Sequence, residues 1–507
     1  MIAVGLPALG LLAYALAAGA VAALGSPLAS LGMLLPLSGL LLLLLPDQEL
    51  VPPRLVAAAF VGMVAAHLCL PTYYMIQTQG LPWISLRRLT LLALVAAALA
   101  HLATSARSRQ QMISALGAAP VLLALNIGFD VMAGLSVLFS VDPGAAAQAY
   151  VEAAFSWRLP FLACLIVVAD EADGARLVRL IGLLSLPVAA LGIADFIAER
   201  NFALDLLPKA LLARMAENNP GIKLLVEFNP WRNGFFRAVS IFNTPLSLGE
   251  FAAICAPLGG FLLLHGAGRK DRALGASVIV AALACLFVCG SRGGSVGFLV
   301  AMPLLGLCWA FRLWRRREDL SGPIASVAVA MTGAAALTTV LAWKRLFNIV
   351  FGGGDSVGST ASRTEQAAAA WPFILDEPVV GHGLGLAATV LDWRSAPGAP
   401  TSVDSYLISV LVETGFPGAF CYFAAFALAA AICLKIYLYD RDARAALAGP
   451  LGCALIAYGI YRLALSQKEN QTLVFILLAL AFICIREARD RRRTRRYILR
   501  NSIERAI

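Results

Sequence analysis

Four polar stretches interrupt a chain that is otherwise strongly apolar. They cover residues 237–250, 290–294, 362–385 and 403–418, and are called the first to the fourth stretch below. Polar and ionisable residues are costly inside a membrane, so those that remain there are expected to have a function. The four stretches hold arginine, histidine and carboxylate side chains, which are residue types that bind anions and transfer protons. They are therefore the places where this chain could carry out chemistry.

The rest of the chain predicts a membrane protein built of helices. Of its 507 residues, 60% are hydrophobic and only 14% are charged, whereas soluble domains carry about 25% charged residues. Several charge-free runs approach the roughly 20 residues that a helix needs to cross a bilayer. The sequence lacks the alternation of period two that membrane-spanning strands would show. We therefore expect an all-α, polytopic transmembrane bundle.

The apolar runs predict about 14 membrane spans (12–14). The run 404–436 is too long for one simple crossing, so we expect a short helix, a break at Gly415–Gly418 and then the crossing itself. The predicted spans lie near residues 3–24, 27–46, 54–70, 88–104, 113–139, 150–169, 175–196, 244–265, 273–290, 294–311, 322–342, 404–436, 445–463 and 471–486.

The distribution of basic residues predicts the orientation of these spans. Most of the 40 lysines and arginines fall in alternate connections and in the tail, which the positive-inside rule makes cytoplasmic. We expect a bacterial inner-membrane protein with both termini cytoplasmic. The predicted parts are N-terminal helices 1–196, a long periplasmic loop 197–243, helices 244–342, a second long periplasmic loop 343–403, C-terminal helices 404–486 and a basic cytoplasmic tail 487–507.

The net charge of +10 follows from this topology and does not predict a nucleic-acid partner. The basic tail would lie against anionic membrane lipids, which are expected partners. An Asp-x-Asp pair, typical of metal-dependent glycosyl transfer, occurs only as Asp440-Arg441-Asp442 in a loop predicted to be cytoplasmic. We therefore expect neither a metal nor a cofactor.

Together, the four stretches resemble the O-antigen ligase and O-antigen/exopolysaccharide polymerase superfamily. That family shows an Arg and then Phe-x-Asn-Pro entering a span, and Ser-Arg-Gly-Gly between two spans. It also shows an Arg-led segment ending in Pro-x-x-Gly-x-Gly-x-Gly, and Glu-x-Gly-x-x-Gly after a Tyr-Leu pair. The corresponding residues here are Arg237 with Phe242-Asn243-Thr244-Pro245, Ser291–Gly294, Arg363 with Pro378–Gly385, and Tyr406-Leu407 with Glu413–Gly418.

The resemblance implies glycan transfer on the periplasmic face. The donor would be an oligosaccharide on a polyprenyl diphosphate, and the acceptor a hydroxyl group of another glycan, with a chain-length regulator as a possible further partner. A departing diphosphate needs cations, and arginine supplies them with a planar fork of donors. Arg237, Arg292 and Arg363 are the expected clamp, and Arg158 is an expected helper. Arg292 could instead snorkel to the interface at the end of its span, Arg237 could be an anchor at a span entrance, and Arg363 could be an ordinary solvated loop arginine.

The base that activates the acceptor hydroxyl is harder to assign. Family ligases have a histidine just before a conserved asparagine in the fourth stretch. At these two positions this chain has Val403 and Asp404. Asp404 is the expected base, with the helix N-cap as its alternative role. His382 is a substitute base or a turn residue, Glu413 is expected to be structural, and Asn243, His382 and Tyr406 are expected to contact substrate.

Three functions remain open at this point. The missing histidine favours a polymerase that joins O-antigen or exopolysaccharide repeat units over a ligase that transfers finished glycan to a lipid core. A flippase for lipid-linked sugar is the alternative of another class, and would place ionisable residues along a path through the spans. Arg87 and Arg88 are expected to be anchors, although they could also help to hold donor phosphate.

Overall fold

The computed structural model describes residues 45–48, 50–76, 84–218, 222, 225–226, 229–232, 234–316, 319–343, 347–348, 356–394, 401 and 403–504. The predicted all-α class is confirmed, since strands are confined in this part of the chain to two short hairpins. These are β1 (Met75–Ile76) with β2 (Ile84–Ser85), and β3 (Trp231–Arg232) with β4 (Phe235–Phe236).

The helices follow one another with short connections. A single π-helical turn, Ala154–Arg158, joins α5 to α6, and a 3-10 turn, Ala443–Leu447, leads into α17. The helices are α1 Pro53–Cys69, α2 Leu86–Thr104, α3 Ala106–Gly117, α4 Pro120–Leu138, α5 Pro143–Ala153, α6 Leu159–Val167, α7 Glu171–Ala198, α8 Phe202–Asp205, α9 Lys209–Asn218, α10 Pro245–His265, α11 Arg269–Cys289, α12 Arg292–Arg316, α13 Ser321–Ala342, α14 Ser356–Asp376, α15 Ala387–Leu391, α16 Tyr406–Tyr439, α17 Ala448–Ala464 and α18 Gln471–Glu504.

Eleven helical segments of the described chain are long and apolar enough to cross a membrane. They coincide with eleven of the predicted spans, so the chain is a multi-pass membrane protein. The predicted span 54–70 falls on α1, which is apolar but has only 17 residues. The predicted spans 3–24 and 27–46 lie outside the described residues, apart from the last two positions, which are not helical. The predicted count of about 14 is therefore not confirmed.

The predicted break in the long run 404–436 is present. Within α16, Gly415 has φ 66° and ψ −175°, which is not a helical conformation. A positive φ is readily accessible to glycine because it has no Cβ. Pro417, two residues later, cannot donate a backbone hydrogen bond to the preceding turn. The break leaves a short helical segment next to the fourth stretch and a long apolar segment that can cross the membrane.

The centre of the bundle is formed by α10 and α18. Their apolar windows are 89% and 94% buried, whereas the window of α13 is 6% buried. A helix that is apolar on all sides and surrounded by protein belongs to a core, and one that is apolar but uncovered is suited to face lipid. The core helix α10 begins within the first stretch, which therefore enters the middle of the molecule.

Candidate active site

The first and second stretches pack against each other. The Arg237 side chain donates from Nε to the carbonyl oxygen of Cys289 at 2.9 Å, and the Ala238 N–H donates to Val288 at 3.1 Å. Both acceptors lie at the carboxyl end of α11, just before the second stretch. Arg237 is thereby held beside Gly290, two residues from Arg292 at the start of α12. Two of the three predicted clamp arginines therefore belong to one region of the surface.

Two glycines allow the helices that carry these stretches to approach closely. A Cβ added to Gly249 of α10 would lie 2.4 Å from the Cβ of Ser291, and one added to Gly294 would lie 2.5 Å from the Gly249 carbonyl oxygen. Real Cβ atoms do not make such contacts, so any larger residue would push α10 and α12 apart. The glycine that ends the second stretch thus fixes the position of Arg292 relative to α10.

The third and fourth stretches form a second pair. The backbone N–H groups of His382 and Gly383 donate to the carbonyl oxygens of Val412 and Glu413, at 2.8 and 3.1 Å. The break after Glu413 frees these carbonyls, because a continuous helix would use them internally. The loop of the third stretch is docked on the interrupted helix in this way. Because these contacts use backbone carbonyl groups, the predicted structural role of the Glu413 side chain stays a prediction.

Arg363 and Asp404 face each other across this second pair. The Arg363 Nε lies 3.8 Å from Oδ2 of Asp404, and the Asp404 N–H donates to Oε1 of Gln366 at 2.8 Å. The proposed alternative role of Asp404 as the helix N-cap is wrong, because Ser405 is the N-cap of α16 and its hydroxyl accepts from the Ile408 N–H. The Asp404 carboxylate is 42% exposed and remains accessible to solvent.

Two of the predicted site residues are hydrogen-bonded to groups of the protein itself, and a third is buried. His382 donates from Nε2 to the carbonyl oxygen of Phe373 at 2.9 Å. Arg158 donates from Nε to Asp130 at 2.7 Å and from Nη1 to Asn126 at 2.9 Å. Tyr406 is fully buried, as described below. Their predicted contacts with substrate stay predictions, and these partners give each residue a structural role as well.

A fully buried ion pair joins the two pairs of stretches. Arg462 of α17 and Glu250 of the first stretch are both 0% exposed, with the Arg462 Nε 3.3 Å from Glu250 Oε1. The guanidinium also lies 4.9 Å from the ring centroids of Tyr406 and Tyr458. Such cation–π contacts stabilise a desolvated cation. Arg462 therefore connects the first stretch to the fourth, a role that the sequence analysis did not predict.

The connection between α17 and α18 together with the first two residues of α18, residues 465–472, is called the linking segment. Its Glu469 accepts from the backbone N–H of Asn243 at 2.9 Å and from the hydroxyl of Thr72 at 3.3 Å. Asn470 donates to Glu250 Oε2 at 2.8 Å, and Ser466 donates to the Val403 carbonyl. The sequence carried a signal for this segment, since Ser466–Thr472 is an unbroken polar run between two apolar spans.

A cavity of about 380 Å³ opens beside the linking segment. Asn243 of the first stretch and Leu384 of the third stretch line it. Most of its charged lining comes from outside the four stretches: Arg87 and Arg88 of α2, Glu152 of α5, and Lys468 and Glu469 of the linking segment.

Arg87 is the most unusual of these groups. It is only 8% exposed, and among the described residues neither its Nε nor its Nη2 has a hydrogen-bond partner. A buried, unpaired polar group is costly, which suggests that an anion occupies this place. Two roles were considered for Arg87, a membrane anchor and a residue that binds donor phosphate. The cavity supports the second role.

Residues 277–423 match the sequence model of the O-antigen ligase family. This part of the chain is therefore similar to the O-antigen ligase family. The match includes the second, third and fourth stretches, whereas the first stretch and the linking segment lie outside it. A search of curated proteins finds no significant match to the chain. This similarity supports a glycan transfer of ligase or polymerase type, with a lipid-linked glycan and an acceptor as substrates.

The Asp-x-Asp pair has partners on the protein. Asp440 Oδ2 lies 2.9 Å from Nε of Arg491, and Asp442 accepts from the Arg444 N–H, a hydrogen bond that lowers the pKa of the Asp442 carboxyl. In the part of the chain that the structure describes, no group of three or more His, Cys, Asp or Glu residues is arranged to hold a metal ion.

Proposed function

We propose that this protein transfers glycan from a polyprenyl diphosphate to a hydroxyl group of another glycan on the periplasmic face of the inner membrane. The transfer would polymerise repeat units of O-antigen or exopolysaccharide. The observation that carries this proposal is the convergence of the family's stretches: the first packs on the second, the third on the fourth, and the linking segment contacts both pairs. Asn243 and Leu384 also line one cavity with Arg87, Arg88 and Lys468.

The reaction would form a glycosidic bond as the bond between the anomeric carbon and the diphosphate oxygen breaks. The leaving diphosphate gains negative charge, which positioned arginines stabilise in the transition state. Arg237, Arg292 and Arg363 would supply this charge. Burial lowers the pKa of Arg237 to about 10, so its guanidinium remains protonated at neutral pH. Asp404 would orient Arg363 through the contact between their side chains.

A ligase is the second candidate, because the matched family is described by that activity. The absence of histidine at Val403-Asp404 supports the polymerase instead. A flippase is supported less well, since the charges around the cavity and the four stretches gather at one end of the bundle. An alternating-access transporter is expected to place its binding site near the middle of the membrane.

A turnover assay in detergent tests the proposal. Purified protein should consume a polyprenyl-diphosphate-linked repeat unit, release the lipid diphosphate and lengthen the glycan. Because arginines are proposed to stabilise the leaving group, excess EDTA should leave the rate unchanged. A deletion strain then separates the two branches: a single repeat unit on the acceptor indicates a polymerase, and free lipid-linked polymer indicates a ligase. Loss of turnover in EDTA with recovery in magnesium would refute the arginine-only mechanism.

Cysteine labelling tests the predicted orientation. Leu206, which follows α8, is 77% exposed, and Thr494 of α18 is exposed on the predicted cytoplasmic side. The half-buried Cys69 and Cys421 are first replaced by alanine. We expect Leu206→Cys to react with a membrane-impermeant maleimide in intact cells, and Thr494→Cys to react only after permeabilisation. The reverse pattern would place the proposed site in the cytoplasm.

A further inference from the structure

Glu469 occupies a special position in the cavity. Its Oε1 accepts from the Asn243 N–H at 2.9 Å and lies 3.3 Å from the Thr72 hydroxyl, which is closer to Oδ1 of Asn243, at 2.7 Å. Its Oε2 has no hydrogen-bond partner within the described chain. A carboxylate that is anchored through one oxygen and free at the other is suited to accept a proton from a molecule bound in the cavity.

A cation with unused hydrogen-bonding capacity lies in the same cavity. Arg87 lines it together with Glu469, and the unpartnered atoms of Arg87 are its Nε and Nη2. The two side chains have opposite charges, yet each keeps a group that no described residue satisfies. This arrangement fits a substrate placed between them, with its anionic leaving group at Arg87 and its reacting hydroxyl at Glu469.

The other candidate bases are placed less favourably. His382 uses Nε2 to bind the Phe373 carbonyl. Asp404 lies beside Arg363 and is not part of the cavity lining, whereas Glu469 is. A base must come within hydrogen-bond reach of the proton that it removes. Of Asp404, His382 and Glu469, only Glu469 lines the cavity and also combines an anchored oxygen with a second oxygen that has no hydrogen-bond partner in the described chain.

We propose that Glu469, rather than Asp404, is the general base of the transfer, an inference that rests on the proposed function. The acceptor oxygen attacks the anomeric carbon of the donor, and the bond from that carbon to the diphosphate breaks. The leaving lipid diphosphate takes the bonding electron pair, and Arg87 would stabilise its charge together with Arg237, Arg292 and Arg363. The hydroxyl proton passes to Oε2 of Glu469 and is released to water after the product leaves.

The surroundings of Glu469 make its carboxylate a stronger base than that of an exposed glutamate. Burial raises the pKa of its carboxyl group above the usual value of about 4.3, while the Ser247 side chain, the Asn243 N–H and the charge of Arg87 oppose this increase. Glu250, Tyr73 and Tyr461 are the other ionisable groups that face it from neighbouring elements. The rate should therefore fall at acidic pH as Glu469 becomes protonated.

The test compares Glu469→Gln with wild-type protein in the detergent assay. Glutamine keeps an oxygen that can accept from the Asn243 N–H, but it cannot take up a proton at neutral pH. We expect turnover to fall about 10²- to 10⁴-fold, with binding of the lipid-linked donor preserved and the acidic limb of the pH profile lost. In Glu469→Ala, added formate should restore part of the rate, which a merely structural residue would not allow. Glu199→Gln, which changes an exposed carboxylate at the end of α7, is the matched control and should keep wild-type turnover.

Three results would overturn the assignment. Wild-type turnover in Glu469→Gln would refute it directly. A formate-rescuable loss in Asp404→Ala or Glu152→Ala, with none in Glu469→Ala, would transfer the role to that carboxylate. Loss of donor binding in Glu469→Gln together with failed rescue in Glu469→Ala would make Glu469 structural. Failure of the proposed function is a separate result, since the wild-type protein itself would then consume no donor.

Discussion

Replacing Arg292 or Arg363 by alanine should lower donor turnover by about one to two orders of magnitude each, while the protein still accumulates in the membrane. A charge-assisted hydrogen bond is worth roughly 1.5–3 kcal/mol, and this energy converts to about that loss of rate if the bond forms with the leaving diphosphate. In cells, the expected result is little or no polymer at normal protein levels. Turnover of purified variants and immunoblots of membranes provide the two measurements.

Two further variants make this prediction specific. Arg292→Lys keeps the positive charge but loses the planar fork, so it should recover little of the activity. Arg394→Ala removes an exposed arginine that pairs with the neighbouring Asp392, and should leave turnover unchanged. If both Arg292→Ala and Arg363→Ala retained wild-type turnover, these arginines would be interface anchors and the proposed clamp would be wrong.

The helices and the break in α16 could be predicted because their signals are local. An apolar run of about 20 residues marks a span wherever it packs, and Gly415 with Pro417 interrupts a helix through its own backbone geometry. The family's stretches could also be recognised locally. Their arrangement into two docked pairs could not, because it depends on contacts such as the one between Gly249 and Ser291, which are 42 positions apart in the chain.

The sequence did not predict which groups the buried polar residues contact. Arg462 stands near the end of an apolar span, where one arginine is readily interpreted as an interface anchor, but the folded chain buries it against Glu250 and two tyrosines. Glu469 stands in a short polar connection that resembles an ordinary loop. Each acquires its role from residues more than 200 positions away, Glu250 and Asn243. Only tertiary packing determines whether such a residue faces water, a cavity or a counter-ion.

This buried pair gives the prediction with the largest expected effect on stability. Replacing Arg462 by alanine leaves the fully buried Glu250 carboxylate without its counter-ion, with Asn470 as its remaining partner. Breaking a buried pair in this way costs about 3–5 kcal/mol, a large part of the stability of most proteins. We expect little Arg462→Ala protein in the membrane and early aggregation on heating in detergent. Arg176→Ala, which breaks an exposed pair with Asp173, should cost no more than about 1 kcal/mol.

A double variant distinguishes the charge imbalance from the loss of packing. In Glu250→Leu/Arg462→Met both charges are absent, and apolar residues of similar volume fill their places, a change that is often neutral for a buried pair. Protein levels and melting temperature should therefore recover most of what Arg462→Ala loses. If the double variant were as unstable as Arg462→Ala, the contribution of Arg462 would come from its packing on Tyr406 and Tyr458 instead of its pairing with Glu250. If Arg462→Ala had wild-type stability, the pair would not be needed to hold the first and fourth stretches together, and this role of Arg462 would be wrong.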